Sequence, residues 1–182
     1  MADRDTVALH ENIKGLLSQD CFLCDIFSTG GTVLSGFLTW DFSKPQFASY
    51  EEFLSAVAAY NQERGAPSGF DPDVLTRPLG EASEYDIYYS TRVRGNDDVL
   101  APEKCLSGAD FREEDCEKGW YPVDVVATFD THGGQHVAAG EVLWHTHLML
   151  ANKNTGDGKF FVDMVDTGTA ESRLGFYILM GC

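Results

Sequence analysis

Leu9, Ile13, Leu16 and Leu17 recur at helical spacing, which predicts a helix over residues 5–18 with Asp3 or Asp5 as its cap. The period changes from Cys21 onward. Apolar runs on either side of Gly30 and Gly31 predict a β-hairpin over residues 21–42. Ser49 and Glu52 stand in the spacing of a capping box, and Phe53, Val57 and Tyr60 supply an apolar stripe behind it. With Gly65 as a stop, these positions predict a helix over about residues 50–64. Three prolines between Ala66 and Gly80 (Pro67, Pro72 and Pro78) predict a surface loop.

Residues 84–94 alternate cleanly. Tyr85, Ile87, Tyr89 and Val93 fall on one face of a strand, with Asp86, Ser90, Arg92 and Arg94 on the other. Residues 95–119 hold eight acidic and three basic side chains with little periodicity, so a long acidic loop is expected there. The last third reads as strands over roughly 121–131, 136–150, 159–166 and 172–181. Turn-type connections such as Asn152–Gly158 make antiparallel neighbours the expectation. Leu174 to Met180 is apolar on both faces, as a central or doubly covered strand requires.

This order of elements predicts one α+β domain over residues 1–182: a curved antiparallel sheet or partial β-barrel, a C-terminal strand meander, packed with two helices from the N-terminal half. The order resembles that of cone-shaped sheets of the nuclear-transport-factor-2 type, in topology alone.

Four of the five histidines fall within sixteen residues: His132, His136, His145 and His147. If Gly133 and Gly134 form a two-residue turn between strands, Asp130 faces Val137 and Asp124 faces Leu143. The polar face of that hairpin then carries Asp124, Glu141, His145 and His147. Two imidazoles at alternate positions of a strand, with one carboxylate, can supply three ligands to a divalent transition metal and leave a position open. His145, His147 and Glu141 are the candidate metal ligands, and Asp124 is placed to orient a ring nitrogen. A wet sheet face accounts for the same residues without any chemistry. Cupin barrels also carry His-x-His on a strand, but Met149 to Lys153 contain no acid where that family has its glutamate.

Charge narrows the function. Thirteen basic residues against twenty-nine acidic ones leave a net charge of −16, which argues against specific nucleic-acid binding and against an anionic membrane surface. No apolar run approaches the ~20 residues of a membrane span. The polar start at Met1 does not read as a signal peptide, so a cytoplasmic or particle-associated location with reduced thiols is expected. Cys105 and Cys116 flank the acidic loop and suit a bridge only in an oxidising compartment. Neither a phosphate-binding glycine loop with Lys-Ser/Thr nor a G-x-S-x-G elbow is present.

Two function classes follow. The first is a non-catalytic binding or assembly protein that sets a sheet face or edge against a protein partner or copies of itself, such as a subunit of a viral or other particle. The second is a metal-dependent or acid–base enzyme built on Glu141, His145, His147 and Asp124.

Overall fold

The structure is a computed structural model. It describes residues 38–64, 70–107, 111–116, 118–151, 153, 160–167 and 173–181. The helix expected over residues 5–18 and most of the hairpin expected over 21–42 lie outside the described residues.

The chain is α+β. Strand β1 (Trp40–Asp41) leads into helix α1 (Tyr50–Glu63), then strands β2 (Pro78–Glu81), β3 (Glu84–Val93), β4 (Glu103–Ser107), β5 (Tyr121–Asp130) and β6 (His136–Ala138). Helix α2 (Ala139–Leu150) and strands β7 (Phe160–Asp166) and β8 (Leu174–Gly181) complete it. Six strands form one open sheet in the order β1-β7-β8-β3-β5-β4, and β2 pairs with β6 in a separate ribbon. The sheet is not closed into a barrel.

Helix α1 forms where its cap and stripe dictate. Ser49 is extended and its Oγ accepts the Glu52 N–H at 3.2 Å. Glu52 closes the box one residue early, taking the Ala48 N–H at 2.8 Å. Phe53, Val57 and Tyr60 are buried as their spacing requires. Asn61, also buried, ties the helix to β1: its Oδ1 accepts the Thr39 N–H and its Nδ2 donates to the Thr39 carbonyl, both at 2.8 Å.

Strands β3 and β5 pair antiparallel over ten residues, from Glu84 opposite Asp130 to Val93 opposite Tyr121. The predicted inner face of β3 is buried throughout, and the helices cover it. Its outer face is drier than alternation implies. Tyr88 and Val126 are buried there in a second, smaller apolar cluster, with Leu106 and Tyr177 packed against them. Strand β8 is central, as its composition requires, between β7 and β3.

Several expectations need correction. Residues 136–150 are not one strand: only His136–Ala138 is extended, and Ala139–Leu150 is helix. The expected β5–β6 hairpin register does not form either, because β6 pairs with β2 while β5 is flanked by β3 and β4. Apolar side chains crowd this segment so densely that both periods fit it. Ala, Glu, Leu and Met are good helix formers, and packing on α1 and the sheet settles the choice. Consequently one of the two described helices belongs to the C-terminal half.

The sheet is mixed, since β3 and β8 run parallel over Tyr85–Tyr88 and Leu174–Tyr177. Within the expected acidic loop, Glu103–Ser107 forms strand β4 against β5. Within the expected loop at 66–80, Pro72–Leu75 makes a 3₁₀ turn capped by Asp71, and Pro78–Glu81 is strand β2.

Candidate functional site

Helix α2 carries three of the four candidate residues. A helix turns about 100° per residue, so Glu141 and His145 share a face, whereas His145 and His147 point about 200° apart. The His-x-His spacing that joins two imidazoles on a strand therefore separates them here.

His147 is fully buried among rings, with the centroids of Trp40, Phe47 and Phe53 within 5.7 Å. The Trp40 indole N–H donates to its Nδ1 at 3.3 Å. Indole can only donate, so the histidine proton sits on Nε2, which donates to the Pro45 carbonyl at 3.2 Å. Both ring nitrogens are thus satisfied by protein. Burial holds the His147 pKa below the usual histidine range, against the opposing pull of the Pro45 carbonyl and the Asp41 charge.

His145 is half-buried and lies flat on Phe129, with ring centroids 4.1 Å apart and planes 11° from parallel. Its Nδ1 is 2.6 Å from the Tyr85 hydroxyl. Burial, with a smaller contribution from His132, pulls its pKa down to about 4. Burial and then the Glu141 charge push the Tyr85 phenol far above its ordinary value. The phenol therefore keeps its proton and donates it to a neutral imidazole whose own proton is on Nε2. That Nε2 has no hydrogen bond among the described residues.

Glu141 is buried and accepts the backbone N–H of His132, which ties α2 to the turn after β5. Tyr50 of α1 stands beside this pair, its ring centroid 5.9 Å from that of His132. Burial, then the charges of Glu141 and Glu51, raises its pKa to about 12. Asp124 is elsewhere. It lies on the outer face of β5, where its Oδ1 accepts the Ser90 hydroxyl at 2.8 Å. The structure thus brings Glu141 near His145 and Tyr85, and separates both His147 and Asp124 from them. Among the described residues, no three His, Cys, Asp or Glu side chains are grouped to hold a metal ion.

Other polar groups escaped the linear pattern. Glu103 of β4 and Lys153, just beyond α2, are both buried and form an ion pair, and the Tyr89 hydroxyl donates to the same carboxylate oxygen. The Leu100 N–H donates to the other oxygen at 2.6 Å. Asp163 of β7 is a further buried acid, raised to about 6 by burial against the counter-effect of the Met164 N–H. Nothing in the sequence marks these residues, since acids are common here and the groups they meet are distant along the chain. A concavity of about 370 Å³ lies at the β2–β6 ribbon, lined by Glu81, Ala82, Ser83, Gly134, Gln135 and His136, and includes none of the four candidates. Cys105 and Cys116 are free thiols.

Comparison with protein families, curated proteins and solved structures finds no match.

Proposed function

We propose that the protein is a non-catalytic binding or assembly protein, a small acidic subunit that sets a sheet face or edge against a protein partner or copies of itself. The observation that supports this reading is the state of the Tyr85–His145 contact. Burial keeps the phenol protonated and the imidazole neutral near pH 7, so neither is matched to moving a proton there. The other candidates are likewise engaged inside the molecule: Glu141 by the His132 N–H, and His147 by Trp40 and Pro45. Recognition then falls to surfaces. On the outer sheet face the partly exposed Leu106 and Tyr177 pack over the buried Tyr88 and Val126, beside Asp86 and Asp124, an apolar spot with polar neighbours of the kind interfaces use. A net charge of −16 suits a particle subunit past which nucleic acid moves without sticking.

Light scattering across a concentration series tests the reading, with Leu106→Asp as the variant. Association that weakens in the variant is expected. A monodisperse monomer at every concentration would count decisively against self-assembly, and failure to co-purify with any partner would remove the remainder.

A second reading, a metal-dependent or acid–base enzyme, is favoured by one observation. His145 is half-buried, bonded to a phenol and beside a carboxylate, and its Nε2 is unengaged among the described residues. Elemental analysis of untagged protein beside a His145→Ala/His147→Ala double variant separates the two. Stoichiometric zinc, iron or manganese that disappears in the variant supports the enzyme.

A further inference from the structure

Tyr60 ends the buried stripe of α1 with only 9% of its surface exposed, and its hydroxyl is enclosed without a hydrogen-bond partner. Buried hydroxyls are almost always paired, so an orphan calls for a specific explanation. Two cations flank the same ring. The Lys44 ammonium lies 5.4 Å from its centroid and the Arg64 guanidinium 4.6 Å. Both side chains are exposed, and neither joins an ion pair among the described residues. In a chain with twenty-nine acids and thirteen bases, two cations that make no ion pair among the described residues meeting at one unpaired phenol is an unexpected arrangement. Asp41, the acid that acts on this phenol, has its Oδ1 taken by the Ser43 N–H and hydroxyl at 2.9 and 2.5 Å.

We propose that Tyr60, Lys44 and Arg64 form a subsite for a phosphate group. The phenol O–H donates to one phosphate oxygen, the guanidinium offers a planar fork to two others, and the ammonium supplies a mobile point charge. Without the ligand the two cations rest on the ring, a contact weaker than a charge-assisted hydrogen bond. Both are long, exposed side chains, so they can leave the ring to meet a ligand at modest cost. The site lies where α1 meets β1, on residues outside the Glu141–Tyr85–His145 cluster, and does not depend on the assembly reading.

Calorimetric titration of the whole chain with inorganic phosphate, and separately with phosphoserine, tests the proposal at constant ionic strength. Saturable binding is expected, and a preference for one probe tells a free phosphate site from one that reads a phosphorylated side chain. Tyr60→Phe keeps the ring and both cation contacts and loses only the hydroxyl, so affinity falls about tenfold. It should not lower the melting temperature without ligand, because the orphan group is removed. Lys44→Gln/Arg64→Gln, at exposed positions that leave folding intact, should abolish binding. Absence of saturable binding with either probe, or binding unchanged in both variants, overturns the proposal.

Discussion

The indole N–H of Trp40 meets Nδ1 of His147 at 3.3 Å, across 107 residues of chain, and so decides which nitrogen of that histidine carries its proton. The contact also joins β1 to α2. His147 is more a structural pin than a reactive group, because both of its nitrogens are hydrogen-bonded by protein and its ring packs among aromatic side chains.

His147→Ala should therefore destabilise the fold by about 3–5 kcal/mol, the range for deleting a large buried ring. His147→Phe fills the space but strands the Trp40 N–H and the Pro45 carbonyl, and should cost about 1–3 kcal/mol. Urea unfolding followed by tryptophan fluorescence measures both. A His147→Phe variant as stable as the parent protein would show that volume alone matters.

Stability should fall as the solution is acidified from pH 7 toward 4. His145 and His147 have folded pKa values below the unfolded histidine value of 6.5, so the unfolded chain binds more protons in this window. Their contribution is present above pH 6.5 and is lost as pH drops through the folded values. Asp163 works in the opposite sense. Its folded pKa of about 6 exceeds the ordinary aspartate value of 3.8, so its contribution is present below 3.8 and is lost as pH rises through 6. Hence His145→Gln/His147→Gln should flatten the acid slope and Asp163→Asn should steepen it. Thermal melting at half-unit pH steps distinguishes them; an unchanged slope in the histidine variant would put the acid sensitivity elsewhere.

Removing one partner of the buried Glu103–Lys153 pair should be costlier than removing both. Glu103→Ala leaves the Lys153 ammonium in a buried site and should cost about 3–5 kcal/mol. Replacing both by methionine should be close to neutral, within ~1 kcal/mol, because apolar contacts substitute for a desolvated pair. Chemical denaturation of the two variants measures the difference, and a double variant as unstable as the single one would contradict it.

Gly140→Ala, normally favourable inside a helix by up to ~1 kcal/mol, should here destabilise by about 1–3 kcal/mol. A Cβ at Gly140 would stand 2.8 Å from the Leu75 carbonyl oxygen and 2.6 Å from Leu54 Cδ2. The leucine can move; the backbone carbonyl cannot move cheaply. A rise in melting temperature would mean that α2 is free to shift.

Elements with one unambiguous period were legible. The Ser49–Glu52 spacing and the stripe Phe53, Val57, Tyr60 place α1 to within a residue of its observed end, since cap and burial agree. The alternation of Tyr85, Ile87 and Tyr89 against polar neighbours places β3 equally well. Helix α2 fits both periods: Val142, Trp144 and Leu148 suit an alternating strand, while Val142, Leu143, Thr146 and Leu150 suit a helix. The expected ligand set rests on the strand period. His145 and His147 share a face on a strand and oppose each other on a helix, so one change of secondary structure dissolved the proposed ligand set.

Local periodicity, caps and composition settled the α+β class, the position of α1, the strands β3, β5 and β8, and the acidic character, because each depends on residues within a few positions of one another. The helical state of α2, the parallel pairing of β8 with β3, and the Tyr85–His145 bond across 60 residues depend on surfaces brought together only by folding. A short apolar segment takes whichever period buries it best against neighbours that its own sequence does not contain.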